Sequence, residues 1–389
     1  MAKQTRGNWM GALALAAAVC AGSGLSHVGT SAMPFQVGAL IDATRISASQ
    51  AGLFGFVEIC AYALSMILVS PWVSRLSPFA VAIAGCALIL ASNIGLYTLG
   101  GSLLQLALAT GAGAGYGLIF AATIAGGVGA DEPVRFYAIG NSAALLIVFS
   151  VISAIPAAQH QFGIRGVFAS IACIALICFP FFFGFQRRSK FAASHAPAAG
   201  VRGGPGLLVC WVSISMGTGG LYAFSERIGR SIHLSETNIS GVLSTGVFVG
   251  LLGTGAAVLI GSKINQKIAL AVGLVGASIS CLLLGYAVNL ALFGAGVFAY
   301  WVFFMFLYNY MLGAAAKLDS GGRLGTLGGG LERLGYGVGV WLAGVFAEHF
   351  SYASTGLLGF VICMSGLCFG LPSVFRALDL ADLKPKLSI

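Results

Sequence analysis

The chain has 389 residues, of which 58% are hydrophobic, only 8% are charged and 57 are glycine. A soluble domain carries about 25% charged residues, so this composition excludes a globular protein whose whole surface faces water. The net charge of +9 is spread over short gaps between apolar runs, which argues against nucleic acid as a partner and is typical of a protein in a lipid bilayer.

Twelve apolar stretches approach the length of about 20 residues that a membrane-spanning helix needs. The first follows a short basic N-terminus and lacks a convincing cleavage site, so we expect it to be retained as a span. The sequence therefore predicts an all-α membrane protein with twelve transmembrane helices. Their approximate bounds are 9–38, 48–72, 78–99, 101–127, 134–157, 165–186, 206–226, 239–261, 267–288, 290–314, 322–347 and 352–375.

Lysine and arginine are distributed unevenly between alternate gaps. With the N-terminus in the cytoplasm, fifteen lie in cytoplasmic segments and four in outer segments, namely Arg45, Arg165, Arg227 and Arg230. Basic residues favour the cytoplasmic side. We therefore predict a multi-pass protein of the cytoplasmic (inner) membrane with both termini in the cytoplasm.

A basic segment rich in Ala, Gly and Pro, residues 187–205, follows the sixth span. It predicts a cytoplasmic linker between two bundles, 1–186 and 206–389. Two polar signatures recur at one gapless offset of 188 residues: SRLS (74–77) matches SKIN (262–265), and DEPVR (131–135) matches DSGGR (319–323). This predicts two six-helix bundles related by a parallel internal repeat.

Six plus six spans, a basic central segment and the loop SPWVSRLSPF resemble the major facilitator superfamily of secondary transporters. Arg75 matches the basic position of that family's loop motif, whereas Ser74 stands where the family usually has Asp. The family's Arg motif on helix four and its Gly-Pro signature on helix five are missing, so no subfamily is indicated. The resemblance implies rocking of two halves about a central site near the midplane. It also implies that helices one, four, seven and ten line the cavity, while helices two and eleven, and five and eight, form the seams.

Span ten, AYWVFFMFLYNYM, places aromatic residues one helical turn apart. Tyr300, Phe304 and Tyr308 recur at every fourth position and so share one helix face. Deep Tyr, Trp and Asn side chains need hydrogen-bond partners that lipid cannot supply. We predict a substrate cavity that combines this face with residues of spans four and seven. Its predicted members are Gln105, Tyr116, Trp211, Ser215, Tyr222, Tyr300, Trp301, Phe304, Tyr308 and Asn309.

Four ionisable residues lie deep in the predicted spans: His27, Glu58, Glu332 and Arg333. Such residues are costly in a membrane and are functional candidates by default. At the 188-residue offset Glu58 corresponds to Gly246, so the repeated scaffold is built without this charge. We predict that the four serve proton coupling and gating. Glu58 would pair with Arg333 when the outside is closed, or with His27 in a proton relay.

Charged residues also occur in the cytoplasmic loops and at one outer end. The loop residues either fix topology or form a latch when the inner side closes. The predicted latch residues are Arg75, Asp131, Arg135, Lys263, Asp319 and Arg323. Glu226 and Arg227, at the end of span seven, are interpreted as an interfacial ion pair at the outer rim.

Two glycine-rich stretches fail as nucleotide loops. GAGAGYG (111–117) lies inside a span with no preceding strand and predicts a helix-packing surface. GTGAAVLIGSK (253–263) lacks the Gly-Lys-Ser/Thr order of a P-loop. The nine cysteines lie in apolar runs without metal-ligand spacing, and no catalytic arrangement is evident. The sequence thus predicts no enzyme, no cofactor and no metal site.

These features predict a secondary active transporter that works by alternating access and functions as a monomer. Its partners would be protons and a small amphipathic or aromatic organic molecule, which is an organic anion if Arg333 reaches the cavity. Protons are favoured because titratable groups lie at depth and no sodium-site pattern is visible in the sequence. The alternative within transport is an exporter of lipophilic drugs or metabolites. A further alternative, from a different functional class, is a non-transporting membrane sensor or a lipid-translocating protein.

Overall fold

The computed structural model describes residues 2–69, 76–98, 101–127, 133–185, 187, 203–260, 264–318 and 323–383. Helices make up nearly all of these residues, which confirms the all-α prediction. They are α1 (Ala2–Thr44), α2 (Ala48–Val69), α3 (Pro78–Thr98), α4 (Ser102–Gly127), α5 (Pro133–Phe162), α6 (Gly166–Cys178), α7 (Gly204–Ala223), α8 (Ser225–Ser231), α9 (Glu236–Ile260), α10 (Gln266–Gly285), α11 (Leu290–Leu318), α12 (Arg323–His349), α13 (Tyr352–Ser365) and α14 (Leu371–Leu383). A 3₁₀ segment, Phe179–Gly184, follows α6, and a π-helical segment, Gly366–Gly370, joins α13 to α14.

Serine side chains fix where several helices begin, because they accept hydrogen bonds from otherwise unpaired amides of the first turn. Ser47 and Gln50 form a reciprocal pair before α2: the Gln50 amide donates to Ser47 Oγ at 3.2 Å, and the Ser47 amide donates to Gln50 Oε1 at 3.1 Å. This is a capping box. Ser235 Oγ accepts the amide of Asn238 at 3.2 Å before α9. The loops therefore end at defined residues.

Eleven helical stretches among the described residues are long and apolar enough to cross a membrane. They correspond to eleven of the predicted spans. The remaining predicted span, 322–347, coincides with α12, which is helical over 27 residues but is not among those eleven. Glu332 and Arg333 interrupt its apolar pattern. The structure thus supports a multi-pass membrane protein, and a count of twelve spans stays a prediction.

The chain forms two compact units. The first comprises Met1–Arg45 and Val57–Ser194, and the second comprises Ile46–Phe56 and His195–Ile389. In the first unit α1 packs on α4, α5 and α6, and α3 packs on α4 and α6. In the second, α7 packs on α12 and α13, while α11 packs on α9 and α10. The second unit thus includes the first turns of α2, and the predicted bundles 1–186 and 206–389 with a linker at 187–205 stay a prediction.

Helix starts are separated by the offset seen in the sequence. The helices α2, α3 and α4 begin at residues 48, 78 and 102, and α9, α10 and α11 begin at 236, 266 and 290, each 188 residues later. Arg45 and His233, also 188 residues apart, are the non-glycine residues with positive φ in the described part of the chain, at 54° and 61°. That conformation is uncommon for residues with a side chain. A common bundle arrangement for the two units stays a prediction.

The glycines of the GAGAGYG stretch form a packing surface, as predicted. A Cβ atom at Gly113 would overlap the carbonyl oxygen of Glu58 on α2. A Cβ atom at Gly115 would lie 2.6 Å from the carbonyl oxygen of Gly85 on α3. Only glycine allows backbones to approach so closely. The stretch therefore holds α4 against two neighbouring helices of the first unit.

Candidate functional site

Three aromatic rings on one face of α11 follow one another along the helix. The ring centroids of Tyr300 and Phe304 are 5.7 Å apart, and those of Phe304 and Tyr308 are 6.2 Å apart with nearly parallel planes. These separations are typical of favourable ring pairs. The predicted spacing of four residues therefore does produce a continuous row of rings.

Two residues of α7 and one more of α11 extend this row. Tyr222 stacks on Tyr300 at 5.0 Å, and Trp211 meets Tyr308 edge-on at 6.3 Å. Trp301 lies 5.3 Å from Tyr300 and 5.7 Å from Tyr222. We call the six residues the aromatic cluster: Trp211, Tyr222, Tyr300, Trp301, Phe304 and Tyr308. All six are predicted cavity residues, and the second unit brings them together.

Glycines on neighbouring helices make room for the two indole rings. A Cβ atom at Gly328 of α12 would overlap the Trp211 ring. A Cβ atom at Gly246 of α9 would lie 2.8 Å from the Trp301 ring. The indoles thus pack directly on backbone, which fixes their orientation. Any larger residue at either glycine would displace a ring of the cluster.

Two charged residues of α12 lie beside the aromatic cluster. The Arg333 Nε atom is 3.6 Å from Glu332 Oε2, and both residues are close enough to Tyr300 to interact electrostatically with its phenol group. Ser215 of α7 lies within reach of the Glu332 carboxylate. The predicted residues Ser215, Glu332 and Arg333 therefore share one region with the aromatic cluster.

The aromatic cluster contains buried hydrogen-bond donors. Neither the Trp211 nor the Trp301 indole N–H meets hydrogen-bond geometry with any group the structure describes, although Trp301 lies close to the Tyr222 phenol. A buried donor without an acceptor costs about 1–3 kcal/mol. Such a donor is a natural contact for an acceptor group on a bound molecule.

The first unit contains a separate buried polar group around Glu58. We call it the Glu58 cluster: Gln36 of α1, Glu58 of α2, Asn93 of α3 and Tyr116 of α4. None is more than 1% exposed. Gln36 lies beside the Glu58 carboxylate, and the Tyr116 phenol interacts with Glu58 and with Asn93. Side chains from four helices thus meet at one carboxylate.

The sequence identified Glu58 and Tyr116 but missed the two carboxamides of this cluster. A signal was available, because an amide inside an apolar span must find a protein partner. Gln36 Nε2 donates to the carbonyl oxygen of Gly29 at 3.0 Å, and Asn93 Nδ2 donates to that of Ile89 at 2.9 Å. Each side-chain amide group therefore donates a hydrogen bond to a carbonyl oxygen of its own helix.

A chain of aromatic contacts connects His27 to the Glu58 cluster. Its Nδ1 atom is 2.8 Å from the carbonyl oxygen of Ser23 on the same helix. Its ring packs edge-on against Phe120 at 5.4 Å, and Phe120 in turn lies 6.2 Å from Tyr62. The Tyr62 ring lies 6.4 Å from that of Tyr116. A proton relay between His27 and Glu58 stays a prediction.

Two predicted cavity residues lie apart from both clusters. Gln105 is buried on α4 but precedes Tyr116 by three helical turns, or about 16 Å. The Asn309 amide donates to the carbonyl oxygen of Met305 at 2.7 Å and reaches Thr254 Oγ1 of α9 at 3.5 Å. It is thus directed towards α9, and a role in the cavity stays a prediction for both residues.

Glu226 and Arg227 form the predicted ion pair, with Oε2 and Nε 3.2 Å apart. The Arg230 guanidinium contacts the same carboxylate and also bonds Glu236 at 2.8 Å. Glu226 is only 3% exposed, whereas Arg227 is partly exposed. A location of this pair at the outer rim stays a prediction.

The predicted latch falls on parts of the chain that the structure leaves undescribed. Arg75, Asp131, Lys263 and Asp319 lie outside the described residues, as do the side chains of Arg135 and Arg323. The predicted pairing of Glu58 with Arg333 would join residues of the two units, and it also stays a prediction.

No protein-family model matches the chain, and no curated protein sequence is significantly similar to it. Solved structures match its fold over almost the whole length. A D-xylose–proton symporter has a TM-score of 0.70 and 14% identity, covering 93% of this chain and 98% of its own. The nucleoside transporter NupG has a TM-score of 0.71 and 11% identity, covering 94% and 99%. A peptide transporter POT has a TM-score of 0.71 and 14% identity, covering 94% and 95%.

These structural neighbours are all transporters of the major facilitator type. At such low identities the likeness establishes the fold. The chain therefore has the fold of secondary transporters, as the resemblance in its sequence implied.

Proposed function

We propose that the protein is a secondary active transporter that carries a small amphipathic or aromatic organic anion across the cytoplasmic membrane together with protons. The observation that carries this proposal is the aromatic cluster of the second unit, with Glu332 and Arg333 beside it. The transporter fold supports the class of activity. We further propose that two six-helix bundles alternate access to the site.

The aromatic cluster suits a substrate with a planar apolar part. Each favourable contact between a ring and such a part contributes about 0.5–1.5 kcal/mol beyond the area buried. The Trp211 indole N–H offers a hydrogen bond to an acceptor on the same molecule. The cluster therefore supports an aromatic or amphipathic substrate rather than a fully hydrated one.

Arg333 supports an anionic group on the substrate. A guanidinium binds a carboxylate through two parallel hydrogen bonds, usually at 2.7–2.9 Å. The Glu332 carboxylate lies 3.6 Å from the Arg333 Nε atom, so a bound anion would lie close to Glu332 as well. A second anion beside Glu332 would be strongly unfavourable in a buried region. Protonation of Glu332 would remove that repulsion, so substrate and proton would bind together.

Uptake by the purified protein in proteoliposomes tests this function. Under an imposed inward proton gradient we expect accumulation of an aromatic carboxylate from a panel that also contains neutral aromatic and aliphatic analogues. Net efflux under the same gradient would instead indicate the exporter alternative. A change in lipid asymmetry without solute flux would indicate lipid translocation, and no flux of either kind would contradict transport.

Truncation of the aromatic cluster tests the site. Trp301→Ala and Tyr308→Ala are expected to weaken substrate affinity by roughly two- to tenfold each, since each removes one ring contact. The control is Phe369→Ala, because Phe369 is an exposed aromatic residue of the π-helical segment. Wild-type affinity in both cluster variants would contradict the proposed site even if transport itself is observed.

A further inference from the structure

The Glu58 cluster has features that proton binding alone does not use. Both carboxylate oxygens of Glu58, the Oδ1 atom of Asn93 and the hydroxyl of Tyr116 are buried, and none meets hydrogen-bond geometry with a described residue, although the Gln36 amide lies beside the carboxylate and Asn93 lies beside the phenol. Four oxygen atoms from three helices are thus left unsatisfied in one small region. Each unsatisfied buried acceptor costs free energy, so an occupant that contacts several of them at once would be stabilised.

Packing limits the size of that occupant. A Cβ atom on Gly29 of α1 would overlap the Tyr116 ring, and one on Gly113 of α4 would overlap the Glu58 carbonyl. Glu58, Asn93 and Tyr116 are at most 1% exposed. The helices are therefore in direct contact around the cluster, which favours a single ion over any part of an organic molecule.

The chemistry of the oxygens limits the kind of ion. A carboxylate, an amide carbonyl and a phenol oxygen are hard ligands, which prefer hard cations. One carboxylate supplies one negative charge, so a monovalent cation is neutralised there, whereas a divalent cation would leave a buried net charge. A proton on Glu58 would add one donor to that of the Tyr116 hydroxyl, whereas one cation contacts several oxygen atoms at once.

We propose that the Glu58 cluster is an alkali-cation site that binds Na⁺ in place of the proton, with Glu58 supplying the charge and Asn93 and Tyr116 supplying neutral oxygens. This rests on the proposed function only in taking transport to be proton-coupled, with Glu58 among the predicted coupling residues. Binding of Na⁺ and binding of a proton then exclude each other, because the site holds one positive charge. The transporter would accept either ion as its driving ion.

The test is Na⁺ binding to the purified full-length protein in detergent, without substrate. At fixed pH and ionic strength, replacing choline chloride by NaCl should raise the thermal unfolding midpoint in a saturable way, because an ion that binds only the folded state stabilises it. Equilibrium binding of radioactive Na⁺ should saturate near one ion per chain. Absence of both effects in the wild-type protein would overturn the proposal.

Two variants distinguish the binding of Na⁺ at the Glu58 cluster from the binding of a proton there. Tyr116→Phe and Asn93→Leu each remove one neutral oxygen and leave the carboxylate, so each should weaken Na⁺ binding at least tenfold. Proton-driven uptake should be retained in Asn93→Leu, because Asn93 is not one of the predicted cavity residues. Tyr286→Phe is the matched control, because Tyr286 is exposed and loses the same hydroxyl. Unchanged Na⁺ binding in both cluster variants would overturn the site.

The outcome for Na⁺ is independent of the outcome for transport. If no substrate is transported but Na⁺ binds and the two variants weaken it, the ion site stands and the proposed function fails. If proton-driven uptake is observed but Na⁺ has no effect on the wild-type protein, the proposed function stands and the ion site fails. Tyr116→Phe keeps the ring that packs on Gly29, so it removes the hydroxyl without removing this packing contact.

Discussion

Glu348, in the last turn of α12, caps the first turn of α2 within the second unit. Its Oε2 atom accepts the amide hydrogen of Ser49 at 2.9 Å. Hydrogen bonds from the Ser47 side chain and the Ser49 amide lower the pKa of this exposed carboxyl group below its usual range. A carboxylate is favoured at a helix N-terminus, where unpaired amides carry partial positive charge. One side chain therefore links the ends of two helices.

The lowered pKa predicts how this link responds to acid. Its contribution to stability is present above the ordinary glutamate pKa of about 4.3 and is lost as the pH falls through the lower pKa of the folded state. Thermal unfolding in detergent between pH 7 and pH 3 should therefore show a steeper loss of stability in the wild-type protein than in Glu348→Gln. Two superimposable pH profiles would contradict the link.

Side-chain spacing made part of the candidate site predictable from the sequence. Tyr300, Phe304 and Tyr308 had to share a face once α11 was helical, and the structure places them in a row. The contacts of Asn93 were not predictable, because they depend on which helices surround it. The Glu58 cluster draws one residue from each of four helices, and no linear pattern encodes such a meeting.

At the scale of the element, α4 depends on glycine for its packing. Gly113→Ala should destabilise the protein by about 1–3 kcal/mol, because the added methyl group meets the backbone of Glu58 and no side chain can move aside. Gly241→Ala on α9 is the matched control. It lies in a helix with open space around its Cβ position, so it should be neutral or stabilising by about 0.5–1 kcal/mol.

Unfolding midpoints in one detergent measure this difference. The two substitutions are chemically identical and both lie in helices, so the gain in helix propensity is the same for both. Packing therefore determines the difference in stability between the two variants. Equal midpoints for the two variants would show that α4 tolerates a side chain at Gly113 and would contradict the packing of α4 on α2.

Hydropathy predicted where apolar helices occur, but it did not predict where a helix is interrupted. The predicted span 206–226 is two helices in the structure, since α7 ends at Ala223 and α8 begins at Ser225. The Ser225 hydroxyl donates to the carbonyl oxygen of Tyr222 at 2.7 Å, and such local bonds compete with the regular helical pattern. An average over twenty residues cannot detect one hydroxyl group.

For the whole molecule, the central prediction concerns Glu58 and Arg333, which belong to different units. If they pair when the outside is closed, their effects on transport should be coupled by about 0.5–3 kcal/mol in a double-mutant cycle. Glu58→Gln should abolish proton-driven accumulation and leave substrate exchange intact, because exchange needs no net proton movement. Arg333→Ala should loosen the outer gate.

Transport assays on the two single variants and on the double variant measure this coupling. The Glu58→Gln/Arg333→Ala protein should perform better than the sum of the single losses, since neither charge is then left alone. Strict additivity, together with normal uptake by Glu58→Gln under a pH gradient, would contradict the gate.

The 188-residue offset was predictable from two loop signatures, whereas the division into units was not. The apolar run of α2 continues without a break across Phe56 and Val57, where the structure assigns it to different units. No change of composition marks that point. Boundaries of this kind follow from which helices are neighbours, and a single sequence does not state that.

Arg45 before α2 and His233 before α9 share an uncommon left-handed backbone conformation. A left-handed backbone costs a residue with a side chain about 1–2 kcal/mol, so Arg45 and His233 are unfavourable choices that glycine would relieve. The residue type differs between the two turns, whereas φ is nearly the same, at 54° and 61°. If the predicted repeat arose by duplication, both turns would descend from one ancestral turn, and a gene for a single half would have preceded the fused gene.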